Sequence, residues 1–143
     1  MESCIFCQIV EKKIPAHVIF EDDTVLAFLD IYPKTKGHTL LIPKMHAETV
    51  LDVPKETLRH IGGLSQDIAL ALKQACGFDG ITVLNSNGAI AQQEIPHYHM
   101  HLIPRYSGEA QRLSFATQYT DTALADTAIL IRNQFPSSLS IDE

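Results

Sequence analysis

Residues 97–105 read His-Tyr-His-Met-His-Leu-Ile-Pro-Arg, which places three histidines in five positions. In an extended strand, residues two apart share a face. His97, His99 and His101 therefore line one side, and Tyr98, Met100 and Leu102 line the other. At a rise of about 3.3 Å per residue, neighbouring histidines stand roughly 6.6 Å apart. That spacing lets the outer two serve a group bonded to the middle one. Imidazole works near neutral pH as nucleophile, proton carrier or metal ligand. A neutral histidine attacking phosphorus forms a phosphoimidazole that water can release, dividing one displacement into two easier ones. A flanking histidine and backbone N–H groups would then stabilise charge on the non-bridging oxygens. The same H-x-H spacing also suits zinc or iron. Spacing alone leaves nucleophile and ligand both open.

A second group with chemistry is the C-x-x-C of Cys4 and Cys7. Cys76 lies far off beside Gly77, and the odd total of three argues against a disulfide scaffold. In a reducing compartment such a pair is a metal clamp or a redox couple. Two thiolates make half of a tetrahedral zinc site, and histidines can supply the rest. The motif by itself leaves zinc, bare reduced cysteines and a redox pair open. Cys76 closes an apolar-periodic run and reads as a buried core thiol.

The elements that must carry these groups are legible in the apolar pattern. Residues 5–13 suggest a short helix closed by Pro15. Residues 17–21 and 25–30 flank Asp22-Asp23 and read as a hairpin, and 39–42 as a third strand ended by Pro43. Leu58, Ile61, Leu64, Ile68, Leu72 and Ala75 recur at the helical period, with Pro54 suited to the first turn and Gly77 to the C-cap. Residues 81–84 form a fourth strand, 85–90 a loop containing Asn87-Gly88, 97–103 a fifth strand and 123–133 a last helix. Consecutive strands with one long inserted helix predict an α+β fold with a mostly antiparallel five-stranded sheet. A doubly wound sheet would need a helix between most strand pairs.

The chain has 143 residues, 45% of them hydrophobic and 20% charged, and carries a net charge of −6, the composition of an ordinary globular domain. No basic footprint for coating nucleic acid is present, yet a local site for a small anion remains compatible with the acidic total. No apolar run approaches the roughly 20 residues of a membrane helix. The start, Met1-Glu2-Ser3-Cys4, lacks the regions of a signal peptide, so a cytoplasmic location is expected. No repeat or linker interrupts residues 1–136, read as one domain, and 137–143 read as a frayed polar tail. Lys12, Lys13, Lys34, Lys36 and Lys44 read as solvated surface, and His17 and His60 as surface or satisfied polar residues. Arg105 either reaches a phosphate or pairs with a neighbouring acid.

Taken with its surroundings, the alternating strand resembles the histidine triad (HIT) family, closest to small bacterial-type members and nucleoside phosphoramidases. Besides the triad, Cys4-Ile5-Phe6-Cys7, Ile14-Pro15-Ala16, Phe20-Glu21-Asp22-Asp23, Leu26-Ala27-Phe28-Leu29-Asp30-Ile31, Gly37-His38-Thr39-Leu40-Leu41-Ile42-Pro43-Lys44 and His46 resemble family motifs in order. The resemblance implies a homodimer that binds purine mononucleotides and acts at the α-phosphate of nucleotide conjugates. It makes His99 the nucleophile, with His101 and His38 around the phosphate. Asp30 would hold the ribose hydroxyls, while Phe6, Ile14, Phe28 and Ile31 would wall the base. Asn85 or Asn87 would stand near the phosphate, and Gln93 would belong to the nucleotide site. In a similar branch, Cys4, Cys7, His46 and His97 bind structural zinc.

Two departures from the family pattern stand out. Gln92 occupies a position where relatives have glycine, which puts a backbone contact to phosphate in doubt. Glu94 replaces a serine or threonine found in several branches, and an acid there would tolerate amine leaving groups better than anionic ones. The same-class alternative is hydrolysis or phosphorolysis of dinucleoside polyphosphates. A nucleotide-binding regulatory module with weak catalysis and a metalloenzyme using the H-x-H pair are the readings from other classes.

Overall fold

The computed structural model describes residues 3–109 and 123–135; the tail at 137–143 lies outside them. In chain order the elements are α1 (Ile5–Val10), β1 (Val18–Glu21), β2 (Val25–Leu29), β3 (Thr39–Pro43), α2 (Lys55–Cys76), β4 (Gly80–Leu84), β5 (Met100–Arg105) and α3 (Leu124–Arg132). The strands form one antiparallel sheet in the order β1-β2-β3-β5-β4. The α+β expectation therefore holds, with the long α2 inserted between β3 and β4.

Both faces of the sheet are covered, which is why every residue of β2 and β3 is buried. Period-two alternation divides them. Val25, Ala27, Leu29 and Leu41 face α2 and α3, whereas Leu26, Phe28, Leu40 and Ile42 face α1 with Phe6 and Ile9. On the first face Ile61, Leu64, Ile68 and Leu72 of α2 supply the helical stripe. Gly77 ends α2 in a left-handed conformation (φ 66°), its N–H donating to the Lys73 carbonyl. Asp22 joins the hairpin to α2, accepting from the N–H groups of Thr24 and Val25 and from His60 at 2.5 Å. His60 is thus a satisfied polar residue.

Two boundaries differ from the sequence expectation by three residues, and the others by two or fewer. α1 stops at Val10 instead of Lys13, because Lys12 turns left-handed (φ 65°) and the N–H groups of Lys13 and Ile14 return to the Gln8 carbonyl. β5 starts at Met100 instead of His97. The backbone just before it leaves the ladder, with the Tyr98 N–H donating to Ala47 at 2.7 Å. The alternation nevertheless survives: Tyr98, Met100 and Leu102 pack on the α2 side, while His97 and His99 both meet the ring of Phe6. Cys76 is only partly buried at the edge of the core.

The turn leading into β3 is pressed against β5 and α2. Thr35 Oγ1 donates to the Pro104 carbonyl at 2.6 Å, and Gly37 adopts φ +91°. A β-carbon at Gly37 would lie 3.1 Å from Cys76 Sγ and 3.2 Å from Pro104 Cγ. Gly37→Ala combines an unfavourable backbone conformation with overpacking, and is expected to cost about 1–3 kcal/mol. Urea unfolding of the variant checks this; an unchanged midpoint would overturn the close approach.

Candidate active site

The chemistry-bearing imidazoles are held by backbone groups, and those groups dictate which nitrogen carries the proton. A carbonyl can only accept, so His99, 2.7 Å from the His97 carbonyl through Nδ1, carries its proton there. Its Nε2 is left as the lone pair of a ring that lines a cavity of about 500 Å³. His97 donates from Nε2 to the Pro43 carbonyl at 2.8 Å, which leaves Nδ1 as its lone pair. His38 accepts from the Lys34 N–H at Nδ1 (3.0 Å), so its Nε2–H donates to His101 Nδ1 at 2.9 Å. His101 consequently carries its own proton on Nε2. The result is a lone pair at His99 beside an N–H donor at His101, with ring centres 4.9 Å apart. That pairing suits a nucleophile next to a support for anionic oxygen.

Burial keeps these rings neutral. Desolvation pushes His38 down to about 3 and His101 down to about 4, with neighbouring imidazoles and the Lys34 ammonium adding to both shifts. Burial lowers His99 as well, opposed by the His97 carbonyl and by the Glu94 carboxylate. Asp30 lies in the same cavity, its Oδ1 accepting from the Tyr32 N–H at 2.9 Å and its Oδ2 3.6 Å from His38 Nε2. Burial raises its carboxyl, and Glu94 adds to the rise.

A second cluster joins α1 to the triad segment. Cys4 Sγ lies 3.4 Å and Cys7 Sγ 3.6 Å from His97 Nδ1, and Cys7 Sγ lies 3.3 Å from His46 Nδ1. Four ligand atoms stand within 4.8 Å of one another. Tetrahedral zinc, with bonds of about 2.3 Å to sulfur and 2.0–2.1 Å to nitrogen, separates its ligand atoms by roughly 3.3–3.8 Å. The donor set and its spacing fit. The Pro43 carbonyl serves as the outer partner that aims His97. Burial pushes the Cys7 thiol up, so a cation is what would draw a thiolate out of this pocket.

Asp30, His38 and His101 also converge closely enough to bracket an ion. A metal on His38 Nε2, however, requires the opposite tautomer, and that would set an Nδ1–H against the Lys34 N–H. The backbone thus favours a hydrogen-bonded relay at this position.

The sequence model of the HIT domain matches residues 11–108. The chain belongs to the HIT family. An uncharacterized HIT-like protein of Methanocaldococcus jannaschii is 46% identical over 113 residues, 78% of this chain and 86% of that one. The adenosine 5′-monophosphoramidase of Saccharomyces cerevisiae is 42% identical over 103 residues, 72% of this chain and 63% of its own length. A zinc-bound histidine triad family protein from Mycobacterium smegmatis superposes with a TM-score of 0.83 at 37% identity, covering 93% of each chain.

In this HIT protein the cavity gathers most of the residues read from the sequence. Phe6, Ile14, Phe28, Asp30, Ile31, His38, His99 and His101 all line it. Phe6 and Phe28 also belong to the core between α1 and the sheet, their rings edge to face at 5.6 Å. Asn85, Asn87 and Gln93 are not among the lining residues and are engaged by the protein itself. Asn85 Nδ2 donates to the His99 carbonyl (2.8 Å), Asn87 bridges Asn85 to the Val50 N–H, and Gln93 ties Gly88 to Glu48 and Ile95. Gln92 lines the cavity in a left-handed conformation (φ 73°), the backbone that a glycine would adopt there without strain.

Among the polar residues lining the cavity, sequence reasoning missed three. Lys34, read as surface, lines the cavity and acts on His38, His101 and Asp30; only its position beside the buried turn reveals this. Ser86 and Tyr32 carried no motif signal. Lys44 is likewise an ion-pair partner, 2.6 Å from Glu21, which also holds Lys12 at 2.9 Å. Arg105 resolves to the neighbouring-acid reading, with Nε 2.9 Å from Glu109 and Nη1 3.2 Å from Thr82 Oγ1.

The lowered imidazoles have a consequence for stability. Folded His38 and His101 stay neutral down to about 3 and 4, whereas unfolded they take up protons near 6.5. Below 6.5 the unfolded chain binds more protons, so their contribution is present above that pH and is lost as pH falls toward 4. The urea midpoint should decline from pH 6.5 to 5, and His101→Asn should decline less steeply than wild type. Equal slopes would contradict neutral burial of His101.

Proposed function

We propose that this HIT protein hydrolyses purine nucleoside 5′-phosphoramidates, or related nucleotide conjugates, at the α-phosphate through a nucleotidyl-His99 intermediate. The observation that carries the reading is the 2.7 Å bond from His99 Nδ1–H to the His97 carbonyl, which leaves Nε2 as a lone pair on a neutral ring lining the cavity. His99 Nε2 attacks the α-phosphorus as the bond to the amine breaks. The electron pair leaves with the amine nitrogen, which takes a proton from solvent. Water then adds its oxygen to phosphorus, the His99–phosphorus bond breaks, and the water's spare proton returns to solvent. The His101 Nε2–H, oriented by His38, would stabilise the phosphoryl oxygens. Asp30 would accept from the ribose hydroxyls, and Phe6, Ile14, Phe28 and Ile31 would cover the base. The phosphoramidase among the relatives supports this substrate class.

Structural zinc on Cys4, Cys7, His46 and His97 belongs to the same reading, supported by the donor spacing and by the zinc-bound relative. Held there, it would supply a cross-link from α1 to the triad segment and take no part in the reaction. A cytoplasmic homodimer completes the proposal. β4 stands at the sheet edge with no strand beyond it among the described residues, open to a second copy. No helix among the described residues is long and apolar enough to cross a membrane.

His99→Ala should reduce turnover of an adenosine phosphoramidate by at least about a thousandfold while nucleotide binding stays measurable. Single-turnover quenching should trap a covalent nucleotide on wild type only. Full activity in the variant would refute the assignment, and tight binding without any trapped adduct would favour the regulatory reading. Metal analysis should find close to one zinc per chain and much less in Cys4→Ser. Wild-type protein purified without zinc would remove the metal from the proposal.

A further inference from the structure

The charges around the cavity are unevenly distributed. Among the described residues its lining has one ammonium, Lys34, and two carboxylates, Asp30 and Glu94. Lys34 acts on His38 and His101, the rings that would hold phosphoryl oxygen. Glu94 acts on His99 and Asp30. Asp30 is engaged by the Tyr32 N–H. The carboxylate of Glu94 has no hydrogen-bond or ion-pair partner among the described residues, and the residue is solvent-exposed. Water can solvate such an acid, and the packing gives it no role.

The direction of displacement gives it one. A nucleophile and its leaving group lie roughly in line across the phosphorus. His99 is 5% exposed, so its leaving group departs away from the buried ring, toward the open side of the cavity. The exposed Glu94 stands on that lining. We propose that Glu94 is a specificity-determining residue that favours nucleotide conjugates whose leaving group is a cationic amine, one carrying a second, protonated amino group. Neutral amines are accepted less well, and leaving groups bearing a carboxylate or further phosphates are disfavoured. The inference rests on the phosphoramidase reading above and adds the charge of the leaving group to it. The discrimination is electrostatic, so salt screens it, because an exposed charge is felt over about 10 Å at 0.1 M ionic strength.

Three adenosine 5′-phosphoramidates of equal chain length test it, made from 1,3-diaminopropane, propylamine and β-alanine. At low ionic strength, wild-type kcat/KM should fall in that order, the first exceeding the last by about tenfold, as expected for an exposed charge acting with opposite sign on the two. Glu94→Gln should bring the ratio close to one, Glu94→Asp should keep the order, and added salt should shrink the wild-type ratio. Each ratio is taken within one protein, so a partly unfolded variant does not mimic the result. Cleavage of the propylamine conjugate with a charge ratio that Glu94→Gln leaves unchanged overturns the role of Glu94 alone. No cleavage of the propylamine conjugate by wild type overturns the phosphoramidase reading and this inference with it.

Discussion

One hydrogen bond governs the site: His99 Nδ1–H to the carbonyl two residues earlier, at 2.7 Å. It decides the tautomer, and the tautomer decides whether the ring presents a lone pair or a proton to the cavity. A bond to a neighbouring backbone carbonyl is short-range and holds whenever the 97–99 backbone is in place. The surrounding contacts secure that backbone. Asn85 binds the His99 carbonyl at 2.8 Å, and Tyr98 donates to Ala47 at 2.7 Å. Phe6 closes one side of the ring in a T-shaped contact, with centroids 5.2 Å apart. Loss of regular pairing before Met100 is therefore no weakness of the triad segment. It frees the 97–99 backbone to orient imidazoles instead of completing a ladder.

The alternation that puts three histidines on one face also divides their work. His97 points its lone pair at the two thiols of α1, whereas His99 and His101 line the cavity. Phe6 sits between, meeting His97 at 5.8 Å and His99 at 5.2 Å. A six-residue helix such as α1 has little stability of its own and depends on tertiary anchors. Here the anchors are Phe6 and Ile9 packed on the sheet and the Cys4–Cys7–His46–His97 cluster. The helix that walls the cavity is thus fastened through the same irregular segment, 97–99, that carries the His99 ring.

How much of this was legible beforehand follows from where each partner lies in the chain. Strand alternation and the 22-residue helix are local patterns, and the sequence displays them openly. The end of α1 and the start of β5 escape the pattern because each is set by backbone geometry it does not encode: the left-handed Lys12 and the Tyr98–Ala47 hydrogen bond. The division of seven histidines could be argued from family resemblance, but their tautomers could not. His97 is oriented by Pro43, 54 positions away, and His101 by His38, 63 positions away. Lys34 was hidden for a similar reason. A lysine in a Pro- and Gly-containing turn looks like surface until Thr35 and Gly37 are seen clamped against β5 and α2.

A net charge of −6 makes this an unpromising receptor for an anion, and the desolvated rings of His38, His97, His99 and His101 add no positive charge, since desolvation lowers their protonation. In the proposed reaction, attraction for phosphate would then come from oriented N–H dipoles and from Lys34, not from a general field. Dipoles aimed in advance need no reorganisation when charge shifts among phosphoryl oxygens during displacement. A protonated imidazole in place of neutral His99 would hold phosphate more strongly yet could not attack it. Neutral burial sacrifices ground-state attraction for a usable lone pair, and it leaves Lys34 as the one ammonium among the described lining residues to offset the repulsion between the carboxylates of Asp30 and Glu94.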